Sequence, residues 1–105
     1  MDLKEIAQSL DLEEDEYRDL VKLFIETTES NLKELENYIA AEDAEGAFRI
    51  AHKIKGAAFN LELNDIARLA KEIETRGKGA QLTDIPQLFT QLTEAFNQLK
   101  ALIAD

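Results

Sequence analysis

Apolar residues recur at helical spacing through nearly the whole chain, and no stretch alternates convincingly enough to be a strand. Asp2 opens a short helical pattern with Leu3, Ile6 and Leu10 on one side. Asp11 then reads as an N-cap with Glu14 three residues on, a variant of the capping box. From there Tyr17, Leu20, Val21, Phe24, Thr28, Leu32, Leu35 and Ile39 predict one long amphipathic helix, broken near Ala41–Asp43. A second long helix is expected from about Asp43 to Phe59, and Asn60 to Asn64 reads as a break with Asn64 capping the next helix. In that helix Ile66, Leu69, Ala70 and Ile73 form the apolar stripe. Gly77 and Gly79 are expected to end it, with Arg76 near its C-terminus, where a cation is favoured. Beyond Thr83 and Asp84, Leu88, Leu92, Phe96, Leu99 and Ile103 predict a last helix with Pro86 in its first turn. Four substantial helices on short connections pack most simply as an antiparallel four-helix bundle. The fold class is therefore all-α, with the chain 1–105 as one domain.

Composition agrees. The 105 residues include 4 glycines and a single proline, a scarcity that favours long helices. There is no cysteine, which rules out disulfides and thiolate chemistry. No run of about 18 apolar residues exists and the acidic N-terminal region has no signal core, so the expectation is a cytoplasmic chain without a membrane span. Net charge is −10, which argues against a nucleic-acid partner. The charge is uneven, however: residues 49–78 carry seven basic side chains against four acidic ones. Such a strip suits an anionic ligand or an acidic partner surface, although a chance cluster of solvated lysines gives the same count.

The helix from Asp43 to Phe59 carries the chemistry. At 100° per residue, with Ile54 centred on the core, Ala47, Ile50, Ala51, Ala57 and Ala58 all fall within roughly 60° of it. His52, the single histidine, falls about 160° away and is expected to face solvent in mid-helix. Residues three, four and seven positions away share its face, among them Phe48, Arg49, Lys55, Gly56 and Phe59. Two phenylalanines thus lie on the polar side of a helix whose core stripe is already complete; edge packing against a neighbouring helix is the alternative for either. Gly56, in a helix interior, costs about 1 kcal/mol relative to alanine. It would let another backbone approach the imidazole, unless it marks an early helix end or a close helix–helix contact. Lys55 is placed to hydrogen-bond an anion held on the ring. The combination resembles a nucleophile on a docking surface.

The string Ala51-His52-Lys53-Ile54-Lys55-Gly56-Ala57-Ala58-Phe59-Asn60-Leu61 resembles the signature of histidine-containing phosphotransfer (HPt) domains. Leu69-Ala70-Lys71-Glu72-Ile73-Glu74 looks like the family's following helix segment, and Phe24-Ile25-Glu26 with Leu32, Leu35 and Ile39 matches its first bundle helix in pattern. The resemblance implies a four-helix bundle with a short extra N-terminal helix. It implies that His52 accepts a phosphoryl group on Nε2 from a receiver-domain phosphoaspartate or a kinase, and passes it to an aspartate of another receiver. Lys55 matches the phosphate-stabilising lysine and Gly56 the glycine that admits the receiver, while Phe48, Arg49 and Phe59 would complete the partner-binding surface. Glu74 matches a glutamate that in some relatives holds the histidine Nδ1. Two positions depart: Glu62 stands where many members have glycine, which bears on the turn after the histidine helix, and Lys53 is larger than usual there.

An imidazole is largely neutral at neutral pH, so a ring lone pair is available to attack phosphorus. No G-x-x-x-x-G-K loop exists, so no autonomous kinase activity is expected. No cofactor or metal is expected on this chain; Mg²⁺ would come with the receiver. A di-iron bundle fails because position 49, three before His52, is Arg49 and there is no second histidine. A hydrolase fails for want of a nameable orienting partner or oxyanion device. The expected partners are receiver domains, a sensor histidine kinase or both, met by a monomer. The alternative is an HPt-like module that binds receivers without carrying phosphate.

Overall fold

The computed structural model describes residues 1–104, all-α, with no strand among them. Five helices follow one another: α1 (Leu3–Ser9), α2 (Glu14–Ala40), α3 (Ala44–Asn60), α4 (Asn64–Lys78) and α5 (Ile85–Ile103). The 27 residues of α2 span about 40 Å at 1.5 Å per residue, and the longest axis of the molecule is 41 Å. Connections between the long helices are short, so neighbours run antiparallel. Each long helix packs on the next, α5 closes back on α2, and α1 lies against α2. The core is filled by Val21, Leu35, Ile54, Ile73, Ile85 and Leu92, with Tyr17 and Thr28 buried among them.

Four helix ends share one device. Asp11, Glu42, Glu62 and Ala80 each adopt a left-handed backbone, with φ between 54° and 60°, one residue beyond the C-cap of α1, α2, α3 and α4. At each end the next N–H reaches back to the third-last helical carbonyl, as Leu63 does to Ala58 at 2.9 Å and Gln81 to Arg76 at 2.8 Å. These are Schellman motifs, built here without glycine at the left-handed position. Glu62 therefore keeps the turn that the sequence comparison put in question: it takes the conformation a glycine favours, and its carboxylate accepts the Ser9 hydroxyl of α1 at 2.7 Å. At the preceding residue, the buried Tyr17 hydroxyl donates to the Leu61 carbonyl at 2.6 Å and fastens the start of α2 to the end of α3. Burial, helped by the nearby Glu62 charge, pushes the Tyr17 phenol up to about 12.

Several expected boundaries move. Asp11 is the left-handed residue ending α1, and α2 is capped by Glu13, whose N–H donates to Glu16 at 3.0 Å. The acidic run 13–16 supplies equivalent carboxylates two residues later, and Asp11 is claimed by the turn. Asn64 is the first residue of α4, with Leu63 at the cap position, because the Schellman turn draws Leu63 into the core. Gly77 does not terminate α4 but lies buried inside it. A Cβ there would meet the Ala44 carbonyl oxygen at 3.0 Å and the Phe48 backbone at 3.1 Å, so Gly77 is where α3 and α4 approach closely. Arg76 sits in the last turn of α4 as expected and reaches Asp84 at 3.4 Å, tying α4 to the start of α5. Ala57, expected in the core stripe, is exposed, and so is Leu20 at 41%. Both lie at the edge of their helix's apolar arc, and periodicity fixes an azimuth without saying whether a neighbour reaches it.

Candidate functional site: a paired histidine on α3

The site is built on α3 and finished by α4. Asp43 caps α3 by accepting the Gly46 N–H at 2.9 Å, and the helix runs unbroken through His52 and Gly56 to Asn60. Ile50, Ala51, Ile54 and Ala58 hold one side of it in the core. The opposite side carries His52, whose side chain is 63% exposed. A rigid, well-anchored helix thus presents the imidazole to solvent.

Glu74 of α4 reaches across to it. One carboxylate oxygen pairs with His52 Nδ1, and the other accepts from Lys55 Nζ at 2.8 Å. The Glu74 side chain is only 12% exposed, which by itself disfavours its charge. Burial pushes the carboxyl up, but the hydrogen bonds and charges of Lys55 and His52 outweigh it and hold the group below its usual range. An ionised carboxylate can only accept, so Nδ1 carries the hydrogen and the Nε2 lone pair is left free in the neutral ring.

The flanking residues divide. Phe48, one turn before His52, is half-buried and stacks on the imidazole with centroids 6.4 Å apart and planes at 24°. Phe59 is 71% exposed and so is not an edge residue packed on a neighbour. Gly56 has no atom within 4 Å of where a Cβ would stand, which removes a close helix contact as its reason, and α3 continues past it, which removes an early end. Arg49 is exposed and pairs with Glu45 along its own helix at 3.4 Å. All seven residues singled out from the sequence therefore share one region: His52, Lys55 and Glu74 are bonded together, Phe48 and Gly56 adjoin, and Arg49 and Phe59 extend the exposed face.

What sequence reading missed is the Lys55–Glu74 bond, which joins residues on different helices and leaves no trace in local spacing. It also missed the exposure of Leu20 and of Leu23, the latter at 59%. Leu23 falls off the 17-21-24-28 stripe, and that displacement was the available signal.

Among the described residues, no helix is long and apolar enough to cross a membrane. No curated protein sequence matches the chain. Among solved structures it is similar to the crystal structure of histidine-containing phosphotransfer protein B (HptB) from Pseudomonas aeruginosa PAO1, at 27% identity and a TM-score of 0.82, over 96% of this chain and 85% of that one. The family model described as "Hpt domain" matches residues 19–102, which takes in α3, α4 and every residue of the His52 region. On that match, and on the shared bundle, the chain belongs to the Hpt domain family, the phosphoryl carriers that work with receiver domains and kinases in phosphorelays.

Proposed function

We propose that His52 is the residue that carries the phosphoryl group, exchanging it with aspartates of response-regulator receiver domains. The observation that supports this most is the bridging carboxylate of Glu74, which pairs with Nδ1 and leaves Nε2 as the free nitrogen of an exposed ring. In the forward step the Nε2 lone pair forms the N–P bond while the P–O bond to the donor aspartate breaks, its electron pair leaving on the aspartate carboxylate. The Nδ1 hydrogen stays in place, and Glu74 faces the positive charge that develops on the ring. Lys55, held at Glu74 in the resting state, turns its ammonium toward the phosphoryl oxygens once they arrive. Discharge to a second receiver reverses these bonds. Phe48, Arg49, Gly56 and Phe59 form the surface on which the receiver docks, and Mg²⁺ comes with the receiver's own carboxylates. The chain acts as a monomer, and the cytoplasm, where no disulfide is needed, is its expected place.

The test is intact-mass analysis after incubation with phosphoramidate, followed by a chase with receiver domains. An acid-labile phosphoryl adduct on the wild type, its absence in a folded His52→Ala variant and its loss to a receiver are the expected results. Lys55→Ala is expected to slow transfer while receiver binding persists. No adduct on a folded protein that still binds receivers would replace the carrier reading with that of an interaction module.

A further inference from the structure

His52 is held by more than Glu74. Phe48 stands one turn before it on α3, where residues at that spacing share a face. The Phe48 ring lies against the imidazole itself, with centroids 6.4 Å apart and planes 24° from parallel, inside the range of offset aromatic pairs. The base of Phe48 is fixed in turn by the neighbouring helix. Gly77 of α4 comes so near that a Cβ there would meet the Phe48 nitrogen at 3.1 Å and its Cα at 3.2 Å. Glu74, one turn earlier on α4, reaches His52 from the same seam. The seam between α3 and α4 thus places two groups on the imidazole: a carboxylate at its edge and an aromatic ring on its face.

The two groups constrain different things. The Glu74 bond fixes the tautomer and the position of Nδ1. A hydrogen bond tolerates some tens of degrees of bend, however, so it leaves the plane of the ring loose. A flat ring stacked on the imidazole opposes that tilt. The Nε2 lone pair lies in the plane of the imidazole, so the plane sets the line along which the N–P bond forms and breaks. Phosphoryl transfer depends chiefly on such alignment. We infer that Phe48 is a positioning residue for phosphoryl transfer: its ring, held at the α3–α4 seam, sets the plane of the His52 imidazole and so aims Nε2. This rests on the phosphocarrier reading above and gives Phe48 a part in the reaction as well as a place on the docking face.

Two variants at this half-buried position test it. Phe48→Leu keeps an apolar, helix-favouring side chain but removes the flat ring, whereas Phe48→Tyr keeps the ring. Each is labelled with phosphoramidate, which needs no docking surface. Each is then discharged to a saturating concentration of the receiver domain that drains wild-type protein fastest from a purified panel. ¹H and ¹⁵N spectra of His52 report the ring-current shift and the tautomer. Phe48→Leu is expected to lose the ring-current shift, keep the Nδ1–H tautomer and slow both labelling and discharge about tenfold, as for a misaligned reacting group. Phe48→Tyr is expected to match wild type in every reading. Labelling of Phe48→Leu at the wild-type rate would overturn the inference and leave the carrier reading intact. Equal slowing in both variants would overturn it too, by tracing the effect to something other than the ring face. Loss of the Nδ1–H tautomer along with the rate would do the same, by tracing the effect to Glu74. Normal discharge after slow labelling would show that a docked receiver aligns the imidazole unaided, and would also overturn it. Wild-type protein that takes no label, or never discharges it to a receiver, would overturn the carrier reading and this inference with it.

Discussion

Gly56 and Glu74 are the residues whose contributions to stability and to function separate most clearly. Nothing stands within 4 Å of a Cβ added at Gly56, and the helix continues for another turn beyond it. Gly56→Ala should therefore stabilise the protein by about 1 kcal/mol, the interior helix preference for alanine over glycine. The same methyl would stand on the docking face, so transfer to a receiver should slow while phosphoramidate labelling does not. Denaturant melts and transfer rates on one variant check both halves, and a stable variant with undiminished transfer would show that no backbone approaches there. Glu74 behaves oppositely. Its carboxyl is held below the usual range in the folded protein, so its pairing stabilises the fold above the ordinary carboxylate pKa of about 4.3 and is lost as pH falls through the lower folded value. Wild type should accordingly exceed Glu74→Gln in stability at neutral pH, and the gap should close on acidification. Urea melts across that range measure it, and ¹⁵N shifts of His52 report whether the Nδ1–H tautomer is lost with the carboxylate.

Among the helices, the ends are more irregular than the interiors. All four Schellman turns place a side-chain-bearing residue at a left-handed φ, where an L-residue is strained by about 1–2 kcal/mol. Ala80 makes no compensating side-chain bond, whereas Glu62 is engaged by Ser9. Ala80→Gly is expected to raise stability by about 1 kcal/mol, and Glu62→Gly by less, since the relief is offset by loss of the Ser9 bond. Thermal or urea unfolding of the two variants side by side decides this. The turns explain why element boundaries were the least legible part of the sequence. Asp11 and Asn64 are both good capping residues, yet Asp11 is consumed by the end of α1 and Asn64 is displaced by a turn that buries Leu63. Gly77 and Gly79 read as a stop signal, but Gly77 is kept for the α3–α4 contact and the left-handed position falls to Ala80.

For the molecule as a whole, the charge asymmetry matters more than the total. The basic residues between 49 and 78 lie on α3 and α4, the two helices that build the His52 site, and the excess of carboxylates lies elsewhere, much of it on α2. A net charge of −10 on a compact bundle with a 13.9 Å radius of gyration repels itself. Stability should therefore rise as salt is added from about 20 to 200 mM, the range over which the Debye length falls below the molecular dimensions. Chemical denaturation at the two concentrations tests this, and a midpoint that falls with salt would mean that pairs such as Lys100–Glu29 and Arg76–Asp84 outweigh the repulsion.

Helical periodicity by itself determined the all-α class, the number and order of the helices and the outward face of His52, because these depend on spacing along one element. The Lys55-Gly56 pair beside that histidine pointed to a nucleophile on a docking surface for the same local reason, and phosphoryl chemistry came with the resemblance to HPt domains. Tertiary structure decided the rest. Which edge residues are covered, as Ala57 and Leu20 are not, depends on where a neighbouring helix passes. Glu74 could be joined to His52 and Lys55 only by folding α4 against α3, since residues 19 and 22 positions apart would stand roughly 30 Å from one another along a single helix. Gly77 became a packing residue for the same reason: the close approach of two backbones is a property of the pair of helices and is written in neither one alone.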